Sequence, residues 1–203
     1  MLRIIIDNGH GNDTKGKRSP VWNDGSQLFE WEFNRKVARR VCSLLDSKGI
    51  TYDLLVPENH DIPLSQRVQR ANHIANINGK KNCLLVSIHA NAGGGTGWEI
   101  HTSKGTTLSD KYAEIFFEEA SLTFPEFRMR YDITDGDHDW DSDFSIISRT
   151  LCPAVLTENF FMDNKRDCRF IMSEEGVERI AQMHFKAILR CIELQRTIKI
   201  WKM

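Results

Sequence analysis

The chain has 203 residues and a mass of 23.4 kDa, which fits one domain with a sizeable core. Its 27 Lys and Arg against 28 Asp and Glu give a formal charge of -1, so there is no basic excess to attract nucleic acid or an anionic membrane. Five cysteines without a CxxC pair argue against a disulfide framework or a cysteine-rich zinc site. The first residues lack the apolar length of a signal peptide or a membrane-spanning helix, so we expect no membrane insertion.

The first predicted strand and helix each place a titratable residue near one end. Residues 2–6 form a β-branched apolar run that stops at a turn in which two glycines flank His10. Between residues 26 and 49, apolar residues at spacings of three or four predict an amphipathic helix. Glu30 lies near its start beside the buried face, where a carboxylate is more often solvated or paired with the helix terminus than a metal ligand.

A second strand and helix continue this alternation. Residues 52–56 form a short strand, and the apolar spacing over residues 64–75 predicts another amphipathic helix. We interpret Arg67 and Arg70 on this helix as part of a solvated face, without a chemical role. Strands that alternate with helices are typical of an α/β domain.

Residues 84–91 form a nearly continuous apolar run that turns polar at its carboxyl end and carries His89. Such a run is typical of a central strand covered by helices on both faces. In open α/β sheets, ligands bind outside the carboxyl ends of the strands, and this run places His89 there. One histidine cannot define a site, because a hydrogen-bonded structural histidine is the more common case.

An acidic loop follows the next strand and helix. Residues 98–102 alternate like a strand with one exposed face, and residues 108–122 predict a helix. Residues 132–143 contain six aspartates, but a calcium-loop alignment puts serines where the turn glycine and the closing glutamate belong. We therefore expect an exposed acidic flap over the crevice rather than a calcium site.

The last predicted strand carries a glutamate near its carboxyl end. Residues 145–148 are predicted to form a short strand, and residues 153–160 an apolar strand with Glu158 near its carboxyl end. A turn at residues 163–167 then leads to a closing helix over residues 176–194.

Three apolar strands thus end at one edge of the sheet with His10, His89 and Glu158, while Glu30 opens the helix after the first strand. Two neutral imidazoles and one carboxylate make a zinc site whose fourth position is open to water, and a further carboxylate can act as general base. Glu158 fits that second role, because a second coordinated carboxylate would offset the charge of the metal. Spacing alone leaves structural roles open, since no HExxH or similar short motif groups the ligands.

Four separated stretches match the motifs of one known family, in the expected order. They are residues 4–11 (a strand, then Asp, a variable residue and Gly-His-Gly), Glu30 with Asn34, residues 87–92 (Ser-Ile-His-Ala-Asn-Ala), and residues 153–158 with Asn164. Over residues 2–192 the chain therefore resembles the zinc-dependent N-acetylmuramoyl-L-alanine amidases, the group called amidase type 3.

This resemblance implies a fold and a set of site residues. The expected fold is a central mixed, mostly parallel sheet with helices on both faces. By resemblance, His10, Glu30 and His89 would hold one zinc ion and Glu158 would be the catalytic carboxylate. Asn91, two residues beyond a predicted ligand, could contact the substrate, although a structural role in the turn is at least as common.

The resemblance also implies the activity and the domain organisation. We expect hydrolysis of the amide between the lactyl group of N-acetylmuramic acid and L-alanine of the stem peptide. Peptidoglycan or a muropeptide would be the partner, rather than nucleic acid. We expect one catalytic domain at residues 1–194 and a short tail at residues 195–203, too short to form a binding domain.

The sequence departs from the family pattern at several positions. Asn8 and Asn12 stand where the family often has proline and glycine, and residues 13–22 lack the usual glycine-rich continuation. Asn159 stands where a small or apolar residue more commonly follows the catalytic glutamate, so hydrogen bonding around that glutamate is expected to differ.

Two other functions are weighed against this one. One is a zinc carboxypeptidase-like peptidase, and the other is a non-catalytic wall-binding module, against which the intact residues argue. Without a signal or a wall-binding domain, we expect an enzyme that is made in the cytoplasm and reaches the cell wall after release or export, as phage or prophage endolysins do, unless the chain was trimmed.

Overall fold

One six-stranded sheet organises the structure, a computed structural model that describes residues 2–200. Its strands are β1 (Arg3–Asn8), β2 (Tyr52–Leu54), β3 (Cys83–Asn91), β4 (Trp98–Thr102), β5 (Trp140–Asp141) and β6 (Ala154–Phe161). The spatial order is β2-β1-β3-β6-β4-β5, and every neighbouring pair is parallel except β4 and β6. The predicted mixed, mostly parallel sheet is confirmed.

Helices cover both faces of the sheet, as predicted. They are α1 (Glu30–Ser47), α2 (Leu64–Asn78), α3 (Leu108–Thr123), α4 (Ser145–Ser148), α5 (Lys165–Met172) and α6 (Glu174–Ile200). The larger apolar core lies between one face and α1, α3, α5 and α6, and the smaller core lies between the other face and α2 with α4. Because both faces are covered, β3 is buried along its whole length except Asn91.

Some elements differ from the prediction. Residues 145–148 form the short helix α4 instead of a strand, and the predicted turn at residues 163–167 runs into α5, which Asn164 caps with its side-chain oxygen. The strand β4 is buried along its whole length instead of exposing one face, because β6 and β5 flank it in the sheet and α3 packs against it. The closing helix continues past residue 194 to Ile200. The division into a domain and a tail at that residue stays a prediction.

The acidic loop is partly built into the sheet. Trp140 and Asp141 pair with β4 as an edge strand, and Asp139 is buried, with a carboxylate oxygen 2.7 Å from the Thr102 hydroxyl that donates to it. Residues 136–138 line a cavity of about 690 Å³ beside α3 and α6. The expectation of an exposed acidic loop is therefore wrong at Asp139, whereas Asp141 and Asp143 are exposed as expected.

None of the helices in residues 2–200 combines the length and the apolar composition that crossing a membrane requires.

Candidate active site

The parallel pairing of β1, β3 and β6 brings the predicted site residues to one edge of the sheet. His10 follows the end of β1, and His89 and Glu158 lie opposite each other near the ends of β3 and β6. Glu30 is the first residue of α1 and is buried at that same edge. The structure thus brings all four key side chains together.

Three of these side chains have the geometry of a metal centre. His10 Nε2 lies 3.3 Å and His89 Nδ1 lies 3.1 Å from the same oxygen, Glu30 Oε1, and the three ligand atoms all lie within 4.8 Å of one another. Donors 2.0–2.1 Å from a tetrahedral zinc lie about 3.3 Å apart, so the two nitrogen–oxygen distances fit this ion.

Partner-free buried atoms point to the same place. Glu30 Oε2, His89 Nε2 and Glu158 Oε2 are buried and have no hydrogen-bond partner among the residues that the structure describes. Because buried polar atoms in proteins are nearly always hydrogen-bonded, such a cluster indicates a place where something binds. Two imidazoles and a carboxylate are a donor set that suits zinc.

The pKa values of Glu30 and His89 each depend on the charge of the other residue. Burial by itself would raise the pKa of Glu30, but hydrogen bonds and charge interactions with His10 and His89 outweigh it and lower the pKa well below the usual range. Burial lowers the pKa of His89, against the opposing effect of Glu30. Glu30 is thus ionised and His89 favours its neutral form, which are the states in which both side chains bind a metal.

The environment of Glu158 raises the pKa of its carboxyl group instead of lowering it. Burial, followed by repulsion from the carboxylates of Glu30 and Glu99, raises the pKa of Glu158 well above its usual range. A carboxyl group in such a position can carry a proton at a pH where an exposed glutamate would have lost it. Two neighbouring glutamates therefore have opposite properties, with Glu30 fixed as an anion and Glu158 able to take up a proton.

Glycine and asparagine residues hold the triad in place. Gly9 packs so closely on His89 that a Cβ there would lie 1.9 Å from the ring. Asn34 donates from its amide to the Gly9 carbonyl at 3.1 Å, and Arg35 donates to the His10 carbonyl at 2.7 Å. His10 has a φ of 64°, a left-handed conformation that is rare for residues other than glycine and occurs at functional sites.

Arg67 was not predicted to take part in this region, and its interpretation as a solvated residue is wrong. The guanidinium is buried and binds both carboxylate oxygens of Asp7, one of them at 2.8 Å. Ser87 donates its hydroxyl to the same carboxylate at 2.6 Å. This buried network ties α2 to β1 and β3 beneath the site.

Two asparagines beside the site are held by other side chains. Asn91 donates to Glu99 Oε1 at 2.6 Å, which favours a structural role, and its contact with substrate stays a prediction. Asn159 is fully buried, donates to the His89 carbonyl at 2.9 Å, and accepts from the Trp98 indole at 3.0 Å. The departure from the family pattern at this position thus adds a hydrogen bond to the backbone of a predicted ligand.

A cleft of about 290 Å³ opens over His10, His89 and Glu158. Lys17, from the loop between β1 and α1, and Arg67 contribute to its lining. The remaining lining residues are mostly apolar: Asp61, Ile62, Leu64, Phe144, Ile146 and Leu156. The cleft therefore offers a substrate an apolar wall and one flexible cation beside the predicted metal centre.

The chain matches one family model over residues 4–190, and the family is described as N-acetylmuramoyl-L-alanine amidase. The N-acetylmuramoyl-L-alanine amidase CwlM of Bacillus licheniformis is 29% identical over 197 residues, which cover 97% of this chain and 71% of the relative. An endolysin of Bacillus phage SPP1 is 28% identical over 202 residues, which cover 97% of this chain and 68% of the relative.

Solved structures share the fold. An N-acetylmuramoyl-L-alanine amidase from Clostridium difficile 630 matches with a TM-score of 0.79 and 24% identity, over 95% of this chain and 97% of that chain. The catalytic domain of CwlV, an amidase from Bacillus (Paenibacillus) polymyxa var. colistinus, matches with a TM-score of 0.73 and 25% identity, over 95% of this chain and 99% of that chain.

Proposed function

The chain belongs to the N-acetylmuramoyl-L-alanine amidase family, and from this premise we propose that its cleft hydrolyses the amide between the lactyl group of N-acetylmuramic acid and L-alanine of the stem peptide. The observation that carries this proposal is the convergence of His10, Glu30 and His89 beside Glu158, whose buried Oε2 has no hydrogen-bond partner among the described residues. The enzyme is a hydrolase that acts on peptidoglycan, and its similarity to a protein named an endolysin supports action on the cell wall.

His10, Glu30 and His89 would hold one zinc ion. They provide two imidazole nitrogens and one carboxylate oxygen, and Gly9 and Asn34 fix the segment that carries them. Zinc in such a three-ligand site supplies an activated water and a Lewis acid for the amide carbonyl.

Glu158 moves the proton. Its Oε2 is buried without a hydrogen-bond partner among the described residues, so it can accept the proton of the attacking water. The same carboxyl group then donates that proton to the alanine nitrogen as the carbon–nitrogen bond breaks, so the stem peptide leaves as an amine. The raised pKa of Glu158 supports this second half of the transfer.

Product analysis tests the proposal. The zinc-loaded enzyme is incubated with purified peptidoglycan, and the products are separated and identified by mass. We expect intact stem peptides with a free amino terminus on L-alanine, together with glycan strands that retain the lactyl carboxylate. Cleavage only between residues of the stem would favour a carboxypeptidase-like enzyme, and binding without cleavage would favour a wall-binding module.

A further inference from the structure

The loop between β1 and α1 places one lysine in the cleft from an anchored backbone. The Lys17 carbonyl accepts a hydrogen bond at 3.0 Å from the backbone nitrogen of Glu30, the first residue of α1. The next residue, Arg18, forms an antiparallel β-bridge with Phe29. The Lys17 backbone is therefore fixed relative to a predicted metal ligand, although its side chain is 47% exposed.

Among the residues that the structure describes, Lys17 is the cation of this cleft that is available to an anion. Its ammonium lies 3.9 Å from Glu30 Oε2, an oxygen without a hydrogen-bond partner among the described residues. The other cationic side chain in the lining is the guanidinium of Arg67, which is occupied by the carboxylate of Asp7. A dication shared by His10, His89 and Glu30 would compete with Lys17 for the charge of Glu30, leaving the ammonium free to bind a substrate group.

The proposed substrate carries an anion close to the amide that is cleaved. In peptidoglycan the residue after L-alanine is D-glutamate linked through its γ-carboxyl group, so its α-carbon bears either a free carboxylate or the corresponding amide. Adjacent α-carbons are 3.80 Å apart across a trans peptide, so this group lies about 6 Å from the alanine nitrogen. The Lys17 ammonium lies 3.9 Å from Glu30 Oε2, so it reaches the part of the cleft next to the predicted metal centre, where the residue after L-alanine would lie.

We propose that Lys17 binds the α-carboxylate of the second stem residue and makes the enzyme select free D-glutamate over D-isoglutamine at that position. This inference rests on the proposed amidase function and identifies a determinant of specificity within the same cleft. The ammonium donates a charge-assisted hydrogen bond to the carboxylate, whereas an amide offers it no negative charge.

Two muropeptides that differ only at this group test the inference. Zinc-loaded wild type is given N-acetylmuramoyl tripeptides with D-glutamate or D-isoglutamine as the second residue, and kcat/KM is measured for each. We expect a preference of about tenfold for the carboxylate, the low end for a charged hydrogen bond, because Lys17 is half exposed. Lys17→Met is expected to reduce this ratio to about one, and Lys17→Glu to invert it.

Lys15→Met is the matched control. Lys15 is an exposed lysine of the same loop, and it is not among the described residues that line the cleft. It is expected to keep the wild-type ratio.

A binding measurement separates recognition from catalysis. In the Glu158→Gln background, calorimetry with the two muropeptides should give the same preference in Kd, and addition of Lys17→Met should abolish it.

The outcomes distinguish the inference from the function on which it rests. Equal losses on both substrates in Lys17→Met would mean that Lys17 acts on the reacting bond or on the fold, and would overturn the inference. A wild type that cleaves both muropeptides equally well would also overturn it, while leaving the amidase function intact. Cleavage of neither muropeptide would overturn the proposed function itself.

Discussion

Substitution of Gly9 by alanine should separate metal binding from folding. A Cβ at this position would lie 1.9 Å from Cε1 and 2.4 Å from Nε2 of His89. Carbon atoms in contact are normally 3.5–4.0 Å apart, so the imidazole must move by about 1 Å or more. The alternative, a shift of the Gly9 backbone, would displace His10, which follows it directly.

The expected effect on activity is much larger than the effect on stability. A displacement of about 1 Å in an active site can reduce the rate by about 100-fold, so we expect kcat/KM to fall at least that far. The zinc affinity should fall as well, because His89 is a predicted ligand. Overpacking typically costs about 1–3 kcal/mol, so Gly9→Ala should remain folded with a lower free energy of unfolding.

Gly105→Ala is the control for a loss of stability alone. Gly105 has a φ of 86°, and apart from its chain neighbours no atom of the described residues lies within 4 Å of the position that a Cβ would take, so alanine there adds only backbone strain of about 1 kcal/mol. Zinc affinity by competition with a chelator, turnover of a muropeptide and urea unfolding are measured for both variants. If Gly9→Ala kept wild-type zinc affinity and turnover, the assignment of His89 to the metal centre would be refuted.

Two further predictions concern stability. Burial lowers the pKa of His184 from 6.5 to about 4, so the native state resists protonation and the stability that depends on neutral His184 is lost as the pH falls from 6.5 to 4. The loss should reach about 3 kcal/mol by urea unfolding and be absent in His184→Gln, and parallel pH curves for the two proteins would contradict it. Arg67→Met leaves the Asp7 carboxylate buried without its partner and should cost about 3–5 kcal/mol. Arg70→Met, which breaks a partly exposed pair with Glu58, should cost at most about 1 kcal/mol, and similar losses in the two variants would contradict the burial argument.

The sheet and the location of the site were predictable because long apolar runs carry strong signals. His10 follows β1, and His89 and Glu158 lie near the carboxyl ends of β3 and β6, which parallel pairing brings to one edge of the sheet. The predictions for short segments were wrong because such segments carry weak signals. Residues 145–148 are too few to show a helical period, and α5 is a short helix whose amino-terminal residues have the composition of a turn.

Partners that are distant in sequence were not predictable. Arg67 lies three residues after Leu64 and four before Ala71, on the apolar stripe of α2, so its helical spacing was a usable signal of burial. Its bond to Asp7 and the presence of Lys17 in the cleft depend on the packing of loops against the sheet edge. Such contacts follow from the tertiary structure and leave no local pattern.

The most direct test of the proposed division of roles is the zinc content of Glu158→Gln, determined together with its turnover of a muropeptide. We predict one zinc per chain, as in wild type, because Glu158 lies outside the triad of His10, Glu30 and His89. Turnover should fall by about 10²–10⁴-fold, since the group that moves the proton is lost. Full turnover, or loss of the zinc from Glu158→Gln, would contradict this division between metal binding and proton transfer.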